Sequence, residues 1–61
     1  MGKGVLITRK RDNAEFQPTD KDFEELTEQL EIYGYITFED LVSHKKHFLS
    51  QDQIAEMEEI D

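Results

Sequence analysis

Gly34 is the residue that most limits what this chain can become. Ahead of it, Phe23, Leu26, Leu30 and Tyr33 recur at spacings of three and four, which places them on one helix face. Glycine enters the left-handed conformation that ends a helix without steric cost, so the run is expected to stop there. The β-prone residues "YIT" follow, and a second amphipathic run, "FEDL", opens directly after them. A chain written this way alternates short elements.

The same helix-start pattern occurs three times. Thr19 can cap a first helix with Asp22 at its third position. Thr37 can cap a second with Asp40 there, and Ile36 and Leu41 fit a hydrophobic staple. Ser50 can cap a third with Gln53, and Leu49 and Ile54 form the matching staple. The spacing predicts helices near residues 20–33, 38–46 and 51–59, the last burying Ile54, Met57 and Ile60. Tyr35–Ile36 is left as a one-strand bridge able to pair with the N-terminal segment.

That segment, "KGVLITRKRDNAEFQP", alternates apolar and polar residues around Asp12–Asn13, residue types that accept the positive φ of a tight turn. A two-residue loop there would set Arg11 opposite Ala14, Lys10 opposite Glu15 and Arg9 opposite Phe16. Val5, Ile7, Ala14 and Phe16 would then share one face. The alternative for residues 1–18 is a mobile basic arm. The expected fold is therefore α+β in a single domain of residues 1–61: an N-terminal hairpin or arm, then an acidic body of three helices over 19–61, helix-turn-helix or winged-helix-like. Tyr33, Tyr35, Phe38 and Phe48 read as core with Phe16 and Phe23; exposed, Tyr35 and Phe48 would instead be interface anchors.

Sixty-one residues lie close to the lower limit for folding without covalent staples, and there is no cysteine to supply one. The composition fits a reducing cytosol. No apolar run is long enough to cross a bilayer, and the N-terminal apolar core is too short for a signal peptide. The net charge of -8 is unevenly spread. Residues 1–11 carry Lys3, Arg9, Lys10 and Arg11 and no acid, whereas residues 12–43 carry ten acids and one lysine. Such a body repels nucleic acid and anionic membranes and attracts basic surfaces.

Catalysis has little to draw on. There is no cysteine nucleophile, no glycine-rich phosphate loop, no acid–base pair of carboxylates and little volume for a substrate cleft, so neither an enzyme nor a cofactor is expected. "HKKH", His44 to His47, lacks a third ligand and fits a solvated helix end better than a metal site. "DKDFEE", Asp20 to Glu25, lacks the turn glycine of a calcium loop.

The order of a helix, "GYIT", "FEDL" and "LSQDQIAEMEE", from Glu24 to Glu59, resembles the acidic N-terminal domain of housekeeping bacterial sigma factors. The resemblance implies an acidic helix-turn-helix-like module that occupies a basic channel of RNA polymerase in place of DNA. The basic turn "HKKHF" departs from that pattern, and the chain has no room for the rest of a sigma factor.

The leading expectation is thus a non-enzymatic regulator, bacterial or phage, that docks a basic surface of a larger nucleic-acid-handling protein. Its candidate partner-binding carboxylates are Glu24, Glu25, Glu28, Glu31, Glu39 and Asp40. A dense carboxylate row can imitate the charge of duplex DNA, although acidic runs are more often plain solvated faces. The alternatives are nucleic-acid contact by Lys3, Arg9, Lys10 and Arg11, and an assembly subunit that pairs through its hairpin edge. Phosphate neutralisation supplies most nucleic-acid affinity, so the acidic body should hold duplex DNA weaker than submicromolar at about 150 mM salt. A fluorescence-anisotropy titration checks this, and tighter binding that is lost on changing Arg9, Lys10 and Arg11 to Ala would favour the arm.

Overall fold

A computed structural model describes residues 4–60. The chain runs β1 (Gly4–Arg9), β2 (Glu15–Phe16), α1 (Phe23–Tyr33), β3 (Tyr35–Glu39), β4 (Lys46–Ser50), a single 3-10 turn (Gln51–Gln53) and β5 (Ile54–Ile60). One sheet has the order β2-β1-β5 and the other pairs β3 with β4, all antiparallel. The helix-turn-helix or winged-helix-like arrangement of three helices is therefore overturned. Among the described residues there is one α-helix, and most of the rest is strand.

The expected second helix, 38–46, is divided instead between the end of β3, a loop over 40–45 and the start of β4, and β3 has period two. Ile36 and Phe38 are buried while Tyr35 and Thr37 face outward, which is a half-buried strand of β-branched and aromatic residues. Tyr35 and Ile36 pair with Ser50 and Leu49 of β4, not with the N-terminal hairpin.

The expected third helix fails for a subtler reason. β5 pairs with β1 through Ile7↔Met57 and Thr8↔Glu56, but the next pair is Arg9↔Ile54. Ala55 is thus an extra residue, a β-bulge. The bulge brings Ile54 and Met57, three positions apart, onto the core side of one strand. That spacing imitates a helix face. The Ser50–Gln53 pair does form, with the Gln53 side chain accepting from the Ser50 backbone N–H at 2.9 Å, but it starts only the 3-10 turn.

Helix α1 begins later than the sequence suggests. Asp22, not Thr19, is its cap: the Asp22 carboxylate accepts from the Glu25 N–H at 2.8 Å, and Glu25 reaches back to the Asp22 N–H at 3.4 Å. Thr19 is drawn instead to the edge of β3, where its N–H and hydroxyl both donate to the Glu39 carbonyl. Gly34 ends the helix at φ 81°, its N–H bonded to the Leu30 carbonyl.

The N-terminal segment is a hairpin whose register lies two residues from the expected one. Ile7 faces Phe16, and Arg9 and Ala14 close a four-residue loop, Lys10–Asn13. A shift of two keeps every side chain on its face, so Val5, Ile7 and Phe16 still point inward. The β3–β4 hairpin repeats this loop. In each, the residue before the loop accepts from the fourth loop residue, Asn13 or His44, and both of these stand at φ 58°.

Val5, Ile7 and Phe16 from one sheet meet Ile36, Phe38 and Leu49 from the other, with Leu26 of α1 filling the space between them. Burying each such side chain contributes about 1.5–3 kcal/mol. No strand is shared by the two sheets. The chain after β2 bridges them, through Pro18↔Asp40 and the bonds Leu41 N–H to Gln17 C=O and Thr19 N–H to Glu39 C=O.

The bulge is directly testable. Deleting Ala55 leaves Ile54 and Met57 two apart, which is the regular alternation of a strand, so the variant should stay folded and lose roughly 1 kcal/mol or less in urea unfolding. In a helix the same deletion would rotate Met57 off the core face, and unfolding of the variant would contradict the strand register.

Candidate docking surface

Most of the exposed α1 residues are acidic. Phe23, Leu26 and Leu30 point inward, so Glu24, Glu25, Glu28 and Glu31 are exposed. Glu59 joins them from β5. It stands opposite Val5, whose face is the core face, and so leans toward the helix at the sheet margin. These carboxylates, with Asp22, Phe23 and Thr27, line an open groove of about 1060 Å³. Asp22 caps the helix and Glu24 and Glu25 lie in its first turn, where the helix dipole favours negative charge. The Glu24–Glu28 and Glu28–Glu31 spacings set like charges side by side, at roughly 0.2–0.5 kcal/mol per pair.

A second hollow, of about 230 Å³, continues from the groove. It shares Glu25 and Glu28 and is completed by Lys21, Gln29, Ile32 and Tyr33. Tyr33 begins a ladder of rings. Its centroid lies 5.7 Å from that of Tyr35, which lies 4.8 Å from Phe48. Tyr35 and Phe48 project from the outer face of β3–β4, because Tyr35 alternates with the buried Ile36 and Phe48 adjoins the buried Leu49. Tyr33, Tyr35 and Phe48 are 61%, 36% and 58% exposed. The sequence places all three in the core, and the structure corrects this; of the expected aromatic core only Phe16 and Phe38 are buried. The signal was available in the strict alternation Tyr35, Thr37 against Ile36, Phe38.

The remaining candidate residues are held elsewhere. Glu39 is half-buried opposite Lys46, its N–H bonded to the Asp20 carboxylate. Asp40 is buried, and both of its oxygens are engaged. One accepts from the Gln17 N–H at 2.8 Å, the other from the N–H groups of Val42 and Ser43 at 3.1 and 2.9 Å. It is a structural anion and leaves the docking surface.

Arg9 is also engaged. Its guanidinium forms a fork with Asp12 at 3.0 and 2.7 Å and lies 5.1 Å above the Phe16 ring. Lys10 and Arg11 are exposed beside it, and Lys3 lies outside the described residues. His44 sits in the β3–β4 loop, while His47 packs against Phe16 and Phe38 with Nε2 3.2 Å from the Ser43 hydroxyl. Among the described residues no helix is long and apolar enough to cross a membrane. Compared with protein-family models, curated proteins and solved structures, the chain has no match.

Several carboxyls are tuned by these contacts. The Arg9 fork and the Ala14 N–H lower Asp12 from 3.8 to about 2. Burial opposes the charge on Asp40, yet the N–H groups of Ser43, Gln17 and Val42 hold it below the ordinary value. Asp20 is lowered by the Glu39 N–H. A folded-state value below the unfolded one gives stability that is present above the ordinary 3.8 and lost as pH falls beneath it, for Asp12 on toward about 2. Urea midpoints should therefore hold down to about pH 4 and fall below it. Asp40→Asn should cost about 2 kcal/mol at neutral pH and flatten the acid limb; an unchanged limb would remove Asp40 from this role.

Proposed function

We propose that the chain is a non-enzymatic docking module that binds a basic surface of a larger protein. The observation that carries this reading is the continuity of one exposed surface: the α1 carboxylate groove, the hollow it shares through Glu25 and Glu28, and the ladder Tyr33–Tyr35–Phe48. Interfaces of this kind take most of their affinity from a few aromatic anchors, while a charged rim steers encounter. The -8 charge makes the steering act toward basic partners. A basic channel of RNA polymerase, or of another nucleic-acid-handling protein, has that chemistry. Contact with nucleic acid through the basic hairpin gains less support, since Arg9 is bound to Asp12 and, among the described residues, Lys10 and Arg11 are the basic groups left exposed beside it.

The test is a pull-down from bacterial lysate at low and high salt, with two variant sets. Glu24, Glu28 and Glu31 to Lys should abolish the salt-sensitive capture of a partner. Tyr35→Ser with Phe48→Ser should reduce its retention at either salt. All five side chains are exposed, so each set should remain folded, with ring removal costing under roughly 1 kcal/mol. A partner that is retained equally by both sets would sink the reading.

A further inference from the structure

We propose that the ladder Tyr33–Tyr35–Phe48 selects arginine over lysine in the segment it binds, so that the partner presents an arginine-bearing stretch of chain. This rests on the docking reading above and adds the chemical identity of the group recognised. Tyr35 and Phe48 are diagonal neighbours on the outer face of β3–β4, their rings tilted by 33°, with Tyr33 extending the row at 31° to Tyr35. Ring faces carry negative electrostatic potential and attract cations. A guanidinium is flat and weakly hydrated and can lie along such a row, whereas an ammonium ion is compact and holds its water.

The surroundings favour a cation. Glu25 and Glu28 share a hollow with Tyr33, and Glu39 projects on the same face as Tyr35. The local basic groups are Lys46, opposite Glu39, and Lys21, which lines the hollow and lies 3.5 Å from the Asp20 carboxylate. The chain already contains this mode of binding in miniature, since Arg9 lies over Phe16 while its fork grips the Asp12 carboxylate. A single nucleic-acid strand can also stack on exposed rings, but its phosphates would meet Glu25, Glu28 and Glu39.

Tyr33 and Tyr35 are the chain's two tyrosines and tryptophan is absent, so intrinsic emission reports on the ladder alone. Wild type is titrated at low salt with a tyrosine-free glycine–serine peptide bearing arginines, with its lysine counterpart of equal length and charge, and with oligothymidine. The arginine peptide should bind roughly five-fold tighter than the lysine peptide and alter the tyrosine emission. Phe48→Leu should bring the arginine affinity down to that for lysine, Phe48→Tyr should keep the preference, and Glu28→Gln should weaken both peptides alike. Melting curves establish that each variant is folded; if Phe48→Leu is not, wild type and Phe48→Tyr still decide. Equal binding of both peptides overturns the arginine proposal and leaves the docking reading standing. Binding of neither removes both. Oligothymidine binding tighter than the arginine peptide overturns the proposal in favour of a nucleic-acid platform.

Discussion

The carboxylate of Asp40 is the contact on which the rest of the molecule depends. The two sheets share no strand, and their inner faces meet only because the chain after β2 is pinned to the end of β3. Asp40 supplies the pin by taking the Gln17 N–H from one side and the Val42 and Ser43 N–H groups from the other. Removing it leaves three backbone donors, only partly buried, in search of partners. The same segment leads through Pro18 and Thr19 to the Asp22 cap, so the position of α1 over the core follows from this anchor. One edge of β3 is closed by this stretch together with α1. Gln29 accepts from the Thr37 N–H, and Asp20 from the Glu39 N–H, which shields a strand edge from pairing with another chain.

What could be recognised beforehand was local chemistry. Gly34 as a helix stop, the apolar stripe Phe23–Leu26–Leu30, a reversal of the chain at Asn13 and the inward face Val5–Ile7–Phe16 are each decided by residues close in sequence, although the loop has four residues and not the expected two. What failed depended on distant partners. Thr37 and Asp40 have the spacing of a helix cap, but Asp40 is claimed by Gln17, far away in the chain. Ile54 and Met57 have the spacing of a helix face, but β1 recruits them into a bulged strand. A bulge adds one residue to a period of two, and the resulting three cannot be told from a helical three by counting. The candidate surface divided in the same way. The α1 glutamates are exposed as expected, while Asp40 was lost to structure and the ring ladder was hidden by the assumption that aromatics lie inside.

The ladder and the glutamate row are also where the chain departs from what stability alone would select. A domain of this size gains little surplus from its core. It nonetheless leaves Ile32, Tyr33 and Phe48 more than half exposed and aligns like charges along its one helix. Departures of this kind, in a molecule otherwise consistent from turn to sheet, tend to fall where a surface is kept for a partner.

The pairing of β1 with β5 carries a consequence for biosynthesis. Gly4 lies opposite Ile60, so the central strand of the larger sheet finds its longer partner only in the last segment described here. Until Ile60 has left the ribosome, β1 is held by two residues of β2, and Val5 and Ile7 lack the cover of β5. Sequence-distant pairing of this sort folds slowly compared with a bundle of local helices. The nascent chain must therefore pass through synthesis with its apolar strand uncovered. During that interval mutual repulsion between the carboxylates of unfinished chains opposes the joining of their exposed strands.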